Sequence, residues 1–263
     1  MSLPVSVADV IRIALLAGQA INRIYQQKSS SVTFKEDNSP LTEADLAAHQ
    51  VVVNGLHQLA PLIPIVSEED DNSWGYRTPL GEFWLLDPLD GTREFLAHNG
   101  EFTVNIALIR AGVTVFGVVH APVLGQTYWG GIGIGAFKDL GAGPVPIHVA
   151  EKTGLGEPLR IVASKSHLNE ETLRFIEKLS PYQLVQAGSS LKFCRIAEGA
   201  ADVYPRLGPT SEWDTAAAQA IVEAAGGNVS DLDGTPLRYG KPEVLNPSFV
   251  ASSCSLGPEG SLL

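Results

Sequence analysis

Two aspartates stand three residues apart in the segment WLLDPLDGTREF, residues 84–95, and could hold a cation between them. Asp87 follows an apolar run, so its backbone should be buried, and Pro88 favours an extended conformation at Asp87. Two carboxylates this close repel each other unless a cation joins them, and Mg²⁺ prefers such oxygen ligands. Gly91 permits a tight turn, and a helix beginning at Thr92 would direct its first backbone N–H groups at a phosphate oxygen. The segment is therefore suited to hold a divalent cation beside a phosphate.

Two further carboxylates could join Asp87 and Asp90 in binding a cation. Glu68 follows another short apolar run, and Asp214 stands at the beginning of an alanine-rich segment. Ends of strands and starts of helices are where ligands collect in α/β proteins. For any one of these acids alone, a structural role is the more common one. Asp214 is also compatible with a helix N-cap, and Asp45 with the acid of a capping box that Thr42 begins.

The first 150 residues show two helical patterns followed by strands. Apolar spacing predicts a helix over residues 7–25, and the capping-box form predicts a second from Thr42 to about residue 59. Strands are predicted at residues 63–66, 83–86, 102–111 and 113–120, the last two joined at a glycine as in a hairpin. Residues 130–135, where glycine and isoleucine alternate, predict an edge strand or a turn.

A Gly- and Pro-rich stretch, residues 141–158, predicts a boundary between two domains, 1–150 and 151–263. Beyond it, strands and helices alternate, which favours a layered α/β arrangement. The predicted strands are 159–163, 182–186 and 201–204, and the predicted helices are 170–179, 191–198 and 215–225.

Composition narrows the class of protein. The 263 residues are 44% hydrophobic, which is ample for a sizeable core. A net charge of -11 argues against nucleic acid as a partner but not against a small phosphorylated ligand. Cys194 and Cys254 are too far apart in sequence for a zinc motif. We expect a cytoplasmic protein, because no secretory signal and no apolar run of roughly 20 residues is found; peripheral membrane association is also compatible with the sequence.

Three segments together resemble the signatures of the inositol monophosphatase superfamily. DPLDGT at residues 87–92 resembles its first signature, WDTAA at 213–217 followed by a Gly-Gly resembles its second, and SEE at 67–69 includes a glutamate where the family binds metal. The resemblance covers nearly the whole chain. Within the superfamily it is closest to 3′(2′),5′-bisphosphate nucleotidases, on the segments KEDNSPLTEAD (35–45), NGEFTVNIAL (99–108) and GSSLKFC (188–194).

The resemblance implies an α-β-α-β-α sandwich of the inositol monophosphatase and fructose-1,6-bisphosphatase type. It implies two or three Mg²⁺ ions held by Glu68, Asp87, Asp90, Asp214 and the backbone carbonyl of Leu89. The implied reaction is removal of the 3′-phosphate from adenosine 3′,5′-bisphosphate, a step linked to sulfur assimilation, with the sulfonated relative of that nucleotide as another substrate. Lithium inhibition is a further trait of the family.

Roles for individual residues follow from the same resemblance. Thr92 and Asp45 are expected to orient and deprotonate the attacking water, with Glu68 as the third catalytic residue. The residues expected to contact substrate are Glu68, Leu89, Asp90, Gly91, Thr92, His167, Ser189, Lys192, Arg206 and Asp214.

Several alternatives remain open on the sequence. The acidic segments alone would also suit a non-catalytic module that binds a divalent cation or a phospholigand, although Thr92 beside Asp90 argues for catalysis. Within the enzymes, an inositol or sugar phosphatase of the same superfamily is the second choice. Lys192, Arg206 and His167 are also compatible with ordinary surface positions. Both a monomer and a homodimer are compatible with the sequence.

Overall fold

The computed structural model of the protein describes residues 3–27, 32–34, 40–151, 157–163 and 169–254. The α-helices of these residues are α1 Val7–Tyr25, α2 Glu43–Leu59, α3 Thr92–Leu96, α4 Glu170–Glu177, α5 Leu191–Ala197 and α6 Glu212–Ala224, with a 3₁₀ helix at Asp71–Tyr76. The strands are β1 Val32–Phe34, β2 Pro40–Thr42, β3 Ile65–Ser67, β4 Glu82–Asp90, β5 Thr103–Arg110, β6 Val113–Ala121, β7 Gln126–Gly131, β8 Gly135–Asp139, β9 Val145–Pro146, β10 Leu159–Ala163, β11 Tyr182–Gln186, β12 Val203–Arg206, β13 Asn228–Asp231 and β14 Phe249–Ser252. β1 and β2 form a two-stranded antiparallel sheet.

The larger sheet has seven strands in the order β3-β4-β5-β6-β7-β8-β9, and both of its faces are covered. β3 runs parallel to β4, and every later pair is antiparallel. Successive side chains of β4 alternate between two cores, so that Trp84 packs beneath α1 and α2 whereas Leu85 packs toward α6. Burial on both faces explains why these strands read as nearly continuous apolar runs rather than as alternating ones.

The smaller sheet has five strands in the order β11-β10-β12-β14-β13. α5 and α6 lie between the two sheets, in a core that joins Leu85 of the larger sheet to Phe249 of the smaller one. α4 covers the outer face, where Ile176 packs against Ile161 and Val203. The layers are therefore α1/α2, seven-stranded sheet, α5/α6, five-stranded sheet and α4, which confirms the predicted α-β-α-β-α sandwich.

Most predicted elements are confirmed, with local differences. Of the two alternatives for residues 130–135, the turn is confirmed, because residues 132–134 connect β7 to β8. The edge strand is not, since β7 pairs with both β6 and β8. β13 and β14 were not predicted, since they are four residues long and carry no extended apolar run. The division at residue 150 stays a prediction: α6 follows it in sequence but packs on the seven-stranded sheet. Within the described ranges, no helix is long and apolar enough to cross a membrane.

α6 lies unusually close to β6 because small residues face each other. A Cβ atom added to Gly117 would lie 2.1 Å from the carbonyl oxygen of Ala217, and one added to Gly130 would lie 3.1 Å from the Cβ of Ala224. The Thr114 hydroxyl donates to the carbonyl oxygen of Ala216 at 3.0 Å. This interface fixes the position of α6 relative to the seven-stranded sheet. The first turn of α6 carries Asp214, a predicted metal ligand.

We predict that Gly117→Ala lowers the free energy of unfolding by about 1–3 kcal/mol, because backbone atoms of α6 must move to admit the methyl group. Denaturant unfolding measures the change. Gly75→Ala is the matched control, since a Cβ at Gly75 has nothing within 4 Å, and its effect should stay within about 0.5 kcal/mol. Equal stability of Gly117→Ala and wild type would contradict the close approach of helix and strand.

Candidate active site

β4 delivers both aspartates of the 84–95 segment to one pocket. In a regular strand, residues three apart point to opposite faces, but the pairing of β4 with β5 is irregular between Asp87 and Asp90. Pro88 cannot donate a ladder hydrogen bond, and the Asp87 Oδ1 instead accepts the backbone N–H of Leu89 at 3.1 Å. The irregularity therefore lets both carboxylates line the same pocket. Gly91 then adopts a left-handed conformation, with φ of 95°, and α3 begins at Thr92.

Glu68, Asp87 and Asp214 form an acidic cluster in which one carboxylate oxygen from each lies within 4.8 Å of the others. Parallel pairing of β3 with β4 brings Glu68 beside Asp87, and the Glu68 N–H donates to the carbonyl oxygen of Leu86 at 3.1 Å. Asp214 lies in the first turn of α6, where its Oδ2 accepts the backbone N–H of Ser211 at 2.8 Å. The acid is thus a capping-box residue and a member of the cluster at once.

Burial and mutual repulsion make this cluster costly without a cation. Burial raises the pKa of Asp87 well above its usual range, and the charges of Glu68, Asp90 and Asp214 raise it further. The pKa of Asp214 is raised by burial, then by Asp90 and Glu68, against smaller lowering effects of the Ser211 N–H and Arg206. A divalent cation would remove this penalty, and oxygen-only ligands suit a hard ion such as Mg²⁺. The acidic cluster fits a metal ion on the chemistry of its own donors.

Asp90 is held by a set of four side-chain donors that converge on its Oδ2. Ser189 and Ser190, just before α5, approach it at 2.5 and 2.9 Å. Asn105 Nδ2 and Thr103 Oγ1 lie at 3.4 and 3.5 Å. Three of these four were not assigned from the sequence, although they lie in the two segments that carry the resemblance. The available signal was the spacing of Thr103 and Asn105, which share one face of β5.

Thr92 and Asp45 meet behind the acidic cluster. The Thr92 hydroxyl lies 3.4 Å from Asp45 Oδ1. Asp45 Oδ2 accepts the Thr42 N–H at 2.8 Å and the Thr42 hydroxyl at 2.6 Å, which confirms the predicted capping box at the start of α2. Asp45 can therefore cap α2 through Oδ2 and still act on Thr92 through Oδ1, so the two predicted roles are compatible.

The pocket is also lined by two cationic side chains, Lys192 and Arg206. Lys192 is buried, and its ammonium lies 5.6 Å from the centre of the Tyr204 ring. Burial lowers the pKa of Lys192, an effect that Arg206 increases and that Asp90 opposes. Arg206 also lines the pocket, and its Nη2 donates to the carbonyl oxygen of Pro209 at 3.1 Å. An anion bound here would stabilise the charged form of Lys192, which burial disfavours.

The structure brings nearly all predicted site residues to this pocket of about 280 Å³. Those that line it are Glu68, Asp87, Leu89, Asp90, Gly91, Thr92, Ser189, Lys192, Arg206 and Asp214. Asp45 contacts Thr92. His167 and residues 35–39 of the KEDNSPLTEAD segment lie outside the described residues. Cys194 is buried in the core.

Comparison with known proteins places this fold and site in one class. Residues 4–256 match the model of the inositol monophosphatase family, and the chain belongs to that family. It is 46% identical over 246 residues to the 3′(2′),5′-bisphosphate nucleotidase CysQ of Shigella flexneri, covering 93% of this chain and 98% of that protein.

Solved structures agree. The crystal structure of CysQ from Bacteroides thetaiotaomicron, described as a bacterial member of the inositol monophosphatase family, superposes with a TM-score of 0.81 at 40% identity, over 93% of this chain and 96% of that one. An inositol monophosphatase from Thermotoga maritima gives a TM-score of 0.74 at 26% identity, over 92% of this chain and 90% of that one. The predicted fold and family are confirmed.

We predict that Asp87→Asn is at least as stable as wild type in EDTA, because it removes one of the repelling charges and keeps an oxygen for the Leu89 N–H. A raised folded pKa means that the folded wild type binds protons more tightly than the unfolded chain. Its stability should therefore fall as pH rises from about 3.8 toward the raised pKa, and the variant should show less of this fall.

Thermal unfolding at several pH values, with EDTA and with Mg²⁺, tests this prediction. Mg²⁺ should raise the melting temperature of wild type much more than that of Asp87→Asn. The exposed Asp233→Asn is the control and should respond to Mg²⁺ as wild type does. A variant that is destabilised in EDTA yet responds fully to Mg²⁺ would remove Asp87 from the metal site.

Proposed function

We propose that this protein is a Mg²⁺-dependent phosphomonoesterase that removes the 3′-phosphate of adenosine 3′,5′-bisphosphate, giving AMP and phosphate. The observation that carries the proposal is one pocket lined both by an acidic cluster suited to metal and by the buried cation Lys192. A substrate with a reacting phosphate beside the acidic cluster and a second phosphate beside Lys192 matches both. The names of relatives at 46% identity support the same substrate class.

The wider role that we propose follows from that substrate. The sulfonated form of the nucleotide has the same 3′-phosphate and would be a second substrate, which links the reaction to sulfur assimilation. The free, buried thiol of Cys194 is compatible with action in the reducing cytoplasm. Lithium inhibition is expected from the family.

Glu68, Asp87, Asp90, Asp214 and the carbonyl of Leu89 would hold two or three Mg²⁺ ions. When bound, these ions would neutralise charge on the reacting phosphate and lower the pKa of an attacking water. The chain itself supplies the geometry. β4 and α6 carry Asp87, Asp90 and Asp214, and Glu68 directly follows β3. The side chains around Asp90 Oδ2 restrict the rotation of that carboxylate.

The attacking water would be oriented by the Thr92 hydroxyl, with Glu68 on the other side. Water attacks phosphorus in line with the departing 3′-oxygen, and the proton that it loses passes by way of Thr92 to Asp45. The bond between phosphorus and the 3′-oxygen breaks, and that oxygen takes a proton from solvent water to leave as the 3′-hydroxyl, while Asp45 returns its proton to solvent. Asp45 is suited to receive it, because its Oδ2 is fixed by Thr42 and its Oδ1 faces Thr92. This assignment requires no covalent intermediate.

We predict that Thr92→Val lowers kcat by about 10² or more and changes KM much less, since it removes the hydroxyl and keeps the volume. Asp45→Asn keeps an oxygen for the Thr42 N–H and should cause a similar loss. Because the two residues act on one proton, the double variant should be little worse than either single one. Steady-state phosphate release measures all three. A raised KM with unchanged kcat would assign Thr92 to binding instead.

The remote 5′-phosphate would meet Lys192, Arg206 and the turn at Ser189, with His167 as a further predicted contact. Lys192 stands in the first turn of α5, over the ring of Tyr204, and its charge faces the pocket. A phosphate dianion beside this lysine would compensate for the hydration that the ammonium loses on burial. Hydrogen bonds between charged groups are also stronger than those between neutral groups. A substrate without the second phosphate would leave Lys192 without an anionic partner from the substrate.

The experiment that tests the proposal compares adenosine 3′,5′-bisphosphate, inositol 1-phosphate and fructose 1,6-bisphosphate at matched Mg²⁺ and ionic strength. We expect the highest kcat/KM for the nucleotide. A preference for inositol 1-phosphate or the sugar would overturn the substrate assignment and leave the phosphatase class. Absence of phosphate release from all three, with Mg²⁺ bound, would overturn the catalytic reading.

We predict that Lys192→Ala lowers kcat/KM for adenosine 3′,5′-bisphosphate about ten- to a hundredfold, the loss expected from one charge-assisted contact of roughly 1.5–3 kcal/mol. The loss on adenosine 3′-phosphate should be small, because that substrate has no second phosphate. Lys178→Ala, an exposed lysine outside the pocket, should leave both unchanged. Equal losses on the two nucleotides would remove Lys192 from the remote-phosphate role.

A further inference from the structure

A buried ion pair joins the two parts of the chain that supply Glu68 and Asp214. Arg77 follows the 3₁₀ helix after Glu68, and its Nη1 lies 3.3 Å from Glu212 Oε2. Glu212 is the first residue of α6, two before Asp214. The side chains of Arg77 and Glu212 are 6% and 0% exposed, so solvent screens this pair little.

Further contacts hold the Glu212 carboxylate in one orientation. Its Oε2 accepts the Gly240 N–H at 3.0 Å, and its Oε1 accepts the Lys241 N–H at 3.0 Å and the Lys241 ammonium at 2.6 Å. Arg77 Nη1 also donates to the carbonyl oxygen of Lys241 at 3.0 Å. Two cations and two backbone donors thus surround one buried carboxylate, and its position relative to Arg77 is restricted from several sides.

A second, independent contact joins the same two parts of the chain. The rings of Trp74 and Trp213 lie with centroids 5.0 Å apart, and Trp74 Nε1 donates to the carbonyl oxygen of Ser67 at 2.9 Å. Ser67 precedes Glu68 in the chain, and Trp213 precedes Asp214. Asp214 is therefore adjacent in sequence to one ring of the pair, and Glu68 is adjacent to the residue whose carbonyl oxygen accepts the hydrogen bond of the other ring.

Neither Arg77 nor Glu212 lines the pocket, so neither can touch a metal ion or substrate there. Without a cation, the repulsion among Glu68, Asp87 and Asp214 favours separation of the segments that carry them. The buried ion pair opposes that separation. It would keep the ligand oxygens close together before a metal ion binds, which lowers the reorganisation that binding requires.

We propose that Arg77 and Glu212 are positioning residues that assemble the divalent-metal site by holding Glu68 and Asp214 at binding distance. This inference rests on the metal-binding part of the proposed function. Residues that orient metal ligands typically change metal affinity about ten- to a hundredfold when they are replaced. Because they act on assembly rather than on chemistry, excess metal should restore the rate.

The test compares Arg77→Met with Arg160→Met. Arg160 forms a less buried ion pair with Asp202 and donates to the carbonyl oxygen of Gly199. It belongs to the smaller sheet, and none of its described hydrogen bonds reaches a predicted metal ligand. Titration calorimetry without substrate gives the Mg²⁺ dissociation constant of each variant. We expect about a tenfold or larger increase for Arg77→Met and less than about a twofold change for Arg160→Met.

Phosphate release against Mg²⁺ concentration gives the second readout. Arg77→Met should need more Mg²⁺ for half-maximal rate and reach nearly the wild-type kcat at saturation, whereas a merely structural loss would lower the amount of active protein at every concentration. If Arg77→Met does not fold, Arg77→Lys, which retains the charge but not the planar donor group, should show a smaller increase in the Mg²⁺ dissociation constant. Unchanged Mg²⁺ affinity in the folded Arg77 variant, or an equal loss in Arg160→Met, overturns the proposal.

Because the calorimetric measurement uses no substrate, its outcome is separate from that of the substrate comparison. If wild type binds Mg²⁺ but releases no phosphate, the proposed reaction is wrong. The Mg²⁺ affinity of the Arg77 variant then still decides whether Arg77 is a positioning residue. Wild type that binds no Mg²⁺ would overturn both.

Discussion

Carboxylates gathered in a buried site repel each other, and this repulsion is the constraint on which the rest of the site depends. Glu68, Asp87 and Asp214 bring ligand oxygens within 4.8 Å of one another, and burial makes their charges more costly than at a surface. A fold can keep such a cluster only if other interactions hold its segments together. A divalent cation bound among these oxygens would remove the repulsion, so the interaction that costs stability would also favour the binding of metal.

Rigid elements of different kinds oppose the repulsion. β3 and β4 are adjacent parallel strands, so their hydrogen bonds hold Glu68 beside Asp87. α6 is held on the other side by close packing, since glycine and alanine let its backbone rest directly on β6 and β7. Close packing of backbone on backbone leaves little room for the helix to retreat. The first turn of α6 is then fixed by a buried ion pair with Arg77 and by the ring contact of Trp74 with Trp213.

Polar groups of the pocket are divided between binding and support. Asp90 Oδ2 is committed to Ser189, Ser190 and their neighbours, whereas Asp45 Oδ2 is committed to Thr42. These hydrogen bonds restrict the rotation of each carboxylate, and they therefore also fix the direction of its second oxygen, Oδ1. Lys192 differs, since burial lowers its pKa and its ammonium lies over the face of Tyr204. A lysine held this way is suited to an anionic ligand rather than to a structural ion pair.

The sequence by itself determined the local structure and the chemical types of the site. Apolar periodicity was sufficient for α1 and for the β5–β6 hairpin, and the capping box fixed the start of α2, because each depends on neighbours in the chain. Signature segments were sufficient for the family and for the acidic residues. The contacts between distant segments were decided by the tertiary structure: the register irregularity that turns Asp87 and Asp90 to one side, the donors around Asp90, and the pairing of Arg77 with Glu212. These arise where strands and helices distant in sequence pack against each other, and no spacing within one segment records which partners will meet.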